Sequence, residues 1–218
     1  MNEATERNIN TNLEFRSKKF NKPTEDVEKV FLTNEEIQKI INVDLSNDKS
    51  KDIVRDYFLI SCYTSLRYSD FTNIRPENIK ENTIEIKTNK TGESVIIPIG
   101  SVVRNILNKY DNHLPKAPCN QLFNTLLKDV CRMAGITENV TITKFSHGKK
   151  VSTTYEKYKL ISCHTGRRTM ISNAILEGIS TSSIMLISAH KSLKVFQKYV
   201  RITKQQNADA LAHHAFFN

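Results

Sequence analysis

Tryptophan is absent from this 218-residue chain, and there are only six glycines, five prolines and four cysteines. That scarcity of glycine and proline excludes collagen-like and low-complexity chains. No apolar run approaches the ~20 residues that cross a bilayer. Residues 1–10 are polar and lack the apolar stretch of a secretory signal. Cys62, Cys119, Cys131 and Cys163 form no CxxC pair. Without a signal this points to reduced thiols in the cytoplasm rather than a disulfide framework, with no membrane contact. The sequence also lacks GxxxxGK[ST], a GxGxxG after a strand, and HExxH. Histidine and cysteine spacings build no zinc site, and the carboxylates do not cluster as a two-metal nuclease would require. The expected chemistry therefore runs on side chains alone, with no cofactor and no metal.

Positive charge is present in excess. Lys and Arg number 32 against 23 Asp and Glu, a net +9, and the excess is uneven. Residues 1–30 hold six basic and six acidic side chains. Residues 141–170 hold seven basic side chains (Lys144, Lys149, Lys150, Lys157, Lys159, Arg167 and Arg168) against Glu156 alone. A concentrated basic block suits a polyanion, most simply nucleic acid, although a solvated loop would look the same.

The apolar pattern predicts one mainly helical α+β domain over 31–218. Residues 1–30 read as a linker or the remnant of a preceding domain. Thr33 and Glu36 have capping-box spacing, and Ile37, Ile40 and Ile41 follow on one helical face. Helices are expected near 51–63, 68–73, 101–110, 119–134, 165–178, 181–189, 192–200 and 204–214. Residues 83–88 and 95–99 alternate like the strands of a hairpin around Gly92, with Pro98 restricting the second to an edge. Residues 141–163 suit an irregular connection or a second hairpin.

Three groups of residues could carry chemistry. In His164-Thr165-Gly166-Arg167, a helix start would set a proton-moving imidazole and a phosphate-binding guanidinium one turn apart. HxxR alone occurs often by chance. Arg67, between two apolar helices, is costly to bury without a partner, and Asp70 could supply one. His190 precedes Tyr199 by nine residues. A phenol with an ordinary pKa near 10 is a poor nucleophile unless cations surround it.

The ordered set, Arg67, a lysine in a hairpin turn, His164-x-x-Arg167, His190 and Tyr199, resembles the tyrosine recombinase (phage integrase) family. The resemblance covers about Leu32 to the C-terminus. Thr64-Ser65-Leu66-Arg67-x-Ser69-Asp70 is similar to the family's TGLRxSE box. Asn89-Lys90-Thr91-Gly92 through Ile99 is similar to its lysine hairpin, with Lys87 a second candidate for the lysine. Ala189-His190 and Tyr199 resemble its GH…Y box. Ser65 and Ala189 stand where glycine is usual, Asp70 where Glu is commoner, and Gly166 where an apolar residue is common. The Arg167-Arg168 doublet is most similar to integrases of conjugative and mobilisable transposons.

The resemblance implies catalytic roles for Arg67, Lys90, His164, Arg167, His190 and Tyr199, a 3′-phosphotyrosyl intermediate, and strand exchange through a Holliday junction. It implies double-stranded DNA as partner, with a homotetramer on DNA and a monomer when free. Lys144, Lys149, Lys150, Arg168 and Lys191 are the candidate DNA contacts. An apolar stripe of Ala208, Leu211, Ala212, Ala215, Phe216 and Phe217 is expected to serve assembly. Two rival readings remain: a type IB topoisomerase-like enzyme, and a non-catalytic DNA-binding protein.

Overall fold

The structure, a computed structural model, describes residues 5–9, 11–13, 30–146 and 149–212, the backbone alone for 144–146, 149 and 150. The chain divides into two compact units: Lys29–Thr141 with Thr154–Asn218, and Met1–Glu28 with Ile142–Thr153. All the candidate catalytic residues belong to the first.

That unit begins where the capping box predicts. The Thr33 N–H donates to Glu36 (2.8 Å) and the Glu36 N–H donates to Thr33 Oγ1 (3.3 Å), so helix α1 (Asn34–Ile41) starts with two of its free N–H groups satisfied. Just before it, the Leu32 N–H donates to Thr169 Oγ1 and Asn173 Nδ2 donates to the Leu32 carbonyl. The entry segment is thereby bonded to α7 (Cys163–Leu176).

Helix α2 (Lys49–Thr64) is the axis of the unit. It packs against α7, α4 (Ser101–Lys109) and α5 (Asn120–Met133), and so is buried on most sides. Val54, Phe58 and Ile60 are fully buried. Tyr57, Tyr68, Phe71 and Phe123 form an aromatic cluster with ring centroids 5.5–5.9 Å apart. Each buried Phe stabilises the fold by about 1.5–3 kcal/mol. The cluster fixes α3 (Tyr68–Phe71), the short helix that follows Arg67.

Gly166 explains how α7 can lie so close to α2. A Cβ at this position would stand 2.6 Å from Ser61 Oγ and 2.8 Å from Ser61 Cβ. An apolar residue there would push the two helices apart.

Strands β1 (Thr83–Lys87) and β2 (Ser94–Pro98) form an antiparallel pair with Ile84 opposite Ile97 and Ile86 opposite Val95. These four side chains are buried and their neighbours face outward, as period-two alternation requires. A second pair, β3 (Asn139–Ser146) and β4 (Lys149–Glu156), occupies the basic segment. In the smaller unit the Thr143 and Ser152 hydroxyls meet across this pair at 2.9 Å.

Four elements differ from expectation. A one-turn helix, α6 (Lys157–Leu160), stands where no helix was expected. Helix α7 starts at Cys163 rather than 165. Helices α8 (Thr181–Ile187) and α9 (Leu193–Gln197) both end early, and Tyr199 lies in the turn after α9. The last described helix is α10 (Lys204–Ala212). Among the described residues no helix is long and apolar enough to cross a membrane.

Candidate active site

Arg167 projects from the first turns of α7 and is only 2% exposed. Its Nη1 donates to the Ser65 carbonyl and its Nη2 to the Ser188 carbonyl. Both acceptors are helix ends: Ser65 caps α2 and Ser188 caps α8. The free carbonyls and negative dipole end of a helix C-terminus favour a cation. The backbone turns sharply at each point, with φ +60° at Ser65 and +53° at Ala189. Glycine is the easy residue in that left-handed region. The family's usual glycines therefore answer to backbone shape here, not merely to small size.

The fork leaves Arg167 Nε buried with no partner among the described residues. Arg67 Nη1 is likewise buried and without one. Burial, and then the nearby Arg67 charge, bring Arg167 down to about 10, against the opposing pull of Tyr199 and Asp70. It remains a cation at neutral pH.

His190 is 8% exposed. Its Nδ1 is 2.8 Å from Ser188 Oγ, and Arg167 Nη2 is 3.1–3.2 Å from both ring nitrogens. Burial first, then Arg167 and Arg67, lower its pKa to about 3, so it is neutral. The Tyr199 ring lies 4.9 Å from the His190 ring and 5.2 Å from the Arg167 guanidinium. The buried Phe196 fixes this turn by meeting His190 edge-on at 5.4 Å, while the Tyr199 N–H donates to its carbonyl. Tyr199 thus lies against the histidine and arginine of its own chain.

His164 occupies the first turn of α7 and reaches solvent. Partial desolvation, then Arg168, Arg167, Arg67 and Lys90, hold its pKa below the ordinary value. Lys90 is exposed on the β1–β2 turn and contributes to this positive field. The turn is fastened at both ends. The Asn89 N–H donates to Asp70 Oδ1 (2.9 Å) and Asn89 Nδ2 to the Ser69 carbonyl (2.7 Å). Glu93 pairs with Lys191 at 2.6 Å. Lys87, at the end of β1, lines a groove with Arg75, Glu77 and Asn89.

Arg67, His164, Arg167, His190 and Tyr199 thus share one site, with the Lys90 turn anchored beside Arg67 through Ser69 and Asp70. The candidate DNA contacts differ among themselves. Arg168 is half-buried, with Nη1 3.5 Å from the Val30 carbonyl, and desolvation and Arg201 lower its pKa. Lys191 is already paired with Glu93. The side chains of Lys144, Lys149 and Lys150 lie outside the described residues.

Sequence reasoning gave one contributor another role and missed two. Asp70, expected as a partner for Arg67, instead uses Oδ1 to hold the lysine turn. Ser65 and Ser188 act through backbone carbonyls, which leave no mark in a sequence.

The family model for the phage integrase family matches residues 30–206. Among solved structures, the chain is similar to XerA recombinase, with 16% identity over 85% of this chain and 65% of that one and a TM-score of 0.64. A lambda integrase dimer bound to a core site has 16% identity, coverage of 93% and 69%, and a TM-score of 0.66. The Tn1549 transposon integrase in complex with circular intermediate DNA has 16% identity, coverage of 98% and 74%, and a TM-score of 0.57. The chain spans just under two thirds of XerA. No curated protein matches it by sequence.

Proposed function

The chain belongs to the phage integrase family, and from that premise we propose that it is a tyrosine-type site-specific DNA recombinase whose catalytic domain is residues 31–218. One observation carries this reading. Arg67 Nη1 and Arg167 Nε are buried donors without partners among the described residues, the Arg67 charge acts on Arg167, and the Arg167 guanidinium lies 5.2 Å from the ring of Tyr199. An unmade buried hydrogen bond costs about 1–3 kcal/mol, more for a charged group. Two such donors in one place suit an anion. A phosphodiester fits, because its charge sits on the non-bridging oxygens that guanidinium groups hold well.

In the proposed reaction the Tyr199 oxygen attacks phosphorus and loses its proton. The bond to the 5′-oxygen breaks, leaving a 3′-phosphotyrosyl ester and a 5′-hydroxyl. Arg67 and Arg167 neutralise charge that grows on the non-bridging oxygens in the transition state. His164, whose pKa partial burial and then the cations around it hold below the ordinary value, accepts the phenolic proton. Lys90, on its exposed turn, gives a proton to the departing oxygen. The new ester preserves the energy of the old one, so a 5′-hydroxyl from another strand can reverse the step. DNA in the lambda and Tn1549 integrase structures supports a duplex substrate. Pairwise exchange through a Holliday junction in a homotetramer is the proposed output. Ala208, Leu211 and Ala212, all exposed on α10, offer an apolar strip for contact between protomers.

Nicked duplexes with randomised core sequences, incubated with the protein in EDTA, test this reading. A covalent protein–DNA species that survives SDS and disappears in Tyr199→Phe is expected. An adduct of equal yield in Tyr199→Phe would overturn it. Joining of two different duplexes in the same reaction separates a recombinase from a topoisomerase-like enzyme.

A further inference from the structure

The β1–β2 turn that carries Lys90 closes on itself. The Thr88 N–H donates to the Glu93 carbonyl (2.8 Å), and the Gly92 N–H donates to the Thr88 carbonyl (2.9 Å). The Thr88 and Thr91 hydroxyls meet at 2.7 Å, and Gly92 supplies the one positive φ in the turn, +67°. None of these bonds uses the side chain of Asn89. That side chain therefore does not shape the turn, and what it can govern is where the turn sits.

Helix α3 provides the seat. A helix of one turn leaves its carbonyls largely free for other donors. The Ser69 carbonyl takes two side-chain amides, Asn73 Nδ2 at 2.8 Å and Asn89 Nδ2 at 2.7 Å. A carbonyl only accepts, so the Asn89 amide has to turn its NH2 group toward Ser69. The Asn89 N–H goes to Asp70 Oδ1, and Asp70 is 1% exposed. Asn89 thus grips two successive residues of α3. That helix has Arg67 as its N-cap, and its Tyr68 and Phe71 rings are set in the aromatic cluster. Beyond Lys90 the turn is tied only by the Glu93–Lys191 pair, which is exposed and so weak in salt.

We infer that Asn89 is a positioning residue whose side-chain amide seats the turn of Lys90 on the helix that follows Arg67, so that one rigid element carries both cations. The inference rests on the proposed reaction. There Lys90 gives a proton from Nζ to the 5′-oxygen as the bond from phosphorus to that oxygen breaks. Without the Asn89 amide the turn stays closed but its seat loosens. The step that suffers is proton transfer to the leaving group.

The test varies the acidity of that leaving group. A duplex recovered from the randomised cores through its adduct is made in two forms, with oxygen or sulfur as the 5′-bridging atom at the cleaved bond. A thiol with a pKa near 8.5 leaves as its anion and needs no proton donor, whereas an alkoxide does. Single-turnover cleavage is measured at saturating DNA. On oxygen, Lys90→Ala is expected to slow at least ~100-fold. Asn89→Ala is expected to slow about tenfold, short of the ~100-fold that a 1 Å misplacement costs. On sulfur, both are expected to come within about twofold of the wild type, whereas a general structural defect would slow both substrates alike. The Tm of Asn89→Ala is expected to stay within about 2 °C, since the amide removed is on an exposed residue. Asn89→Ala equally slow on oxygen and sulfur would overturn the inference. So would Asn89→Ala as fast as the wild type on oxygen while sulfur rescues Lys90→Ala, and in both cases the proposed function stands. Lys90→Ala that sulfur does not rescue would overturn the proposed role of Lys90, and the inference with it.

Discussion

Arg167 is the charge around which the site is arranged, and its partners account for two residues that look out of place in the family's boxes. Ser65 and Ala189 both adopt positive φ, and the turns they make aim the Ser65 and Ser188 carbonyls at the guanidinium. A side chain pays a penalty in that region which glycine does not. Ala189→Gly is expected to raise stability by about 1 kcal/mol, read as the urea midpoint, with Arg167 still held. His190 gives a pH prediction. Its folded pKa, about 3, lies below the unfolded value near 6.5. The unfolded chain therefore takes up a proton that the folded chain refuses. The contribution of this site to stability is full above pH 6.5 and is lost as the pH falls toward 3. Urea midpoints measured across that range are expected to fall more steeply in the wild type than in His190→Asn. The candidate reacting groups were legible in the sequence because each has distinctive chemistry at a fixed spacing. The groups that hold them were not, because every residue carries a carbonyl and φ is not written in the residue name.

At the scale of elements, the α2–α7 contact and the β1–β2 turn determine where the charges stand. Gly166 lies in the first, with no room for a methyl group between it and Ser61. Gly166→Ala is expected to destabilise by about 1–3 kcal/mol, since overpacking forces backbone shifts. That corresponds to roughly 2–4 °C of Tm per kcal/mol for a chain of this size. A Tm equal to or above the wild type would show that the helices separate freely. Asp70 governs the second contact. Asp70→Ala removes the acceptor of the Asn89 N–H, so amide exchange at Asn89 is expected to quicken and cleavage to slow, with Arg67 intact. The long helices and the β1–β2 hairpin were legible because their apolar periods run over many residues. The one-turn helix α6 is too short to show a period. Helix α9 ends at Gln197, one residue past the buried Phe196, and Tyr199 lies in the turn that follows.

Across the whole molecule, a net charge of +9 accompanies a site built of cations with few acidic groups near it. On the proposed function, much of the affinity for a duplex is expected to come from counterion release. If roughly four phosphates are neutralised, binding is expected to weaken about a hundredfold between roughly 50 and 200 mM salt. Fluorescence anisotropy with a labelled duplex measures this, and an affinity independent of salt would contradict it. The exposed pair Lys191–Glu93 links the loop of His190 to the turn of Lys90, and contributes little to stability in salt. On the proposed duplex substrate, Lys191 is predicted to exchange Glu93 for a phosphate. The total charge was legible from composition. Its distribution was legible only in part, since Arg168 turned inward toward Val30 while its neighbours in sequence gave it the look of a surface cation.

The central claim is that Tyr199 is the nucleophile and that the 3′-phosphate of the cleaved strand becomes attached to it. Digestion of the SDS-resistant adduct with protease and nuclease, followed by mass spectrometry of the remaining peptide, tests this most directly. The account predicts a nucleotide linked through its 3′-phosphate to the tyrosine of the peptide containing residues 199–201, with a 5′-hydroxyl on the released strand. Attachment at any other residue, or a 5′-phosphate link, would contradict it.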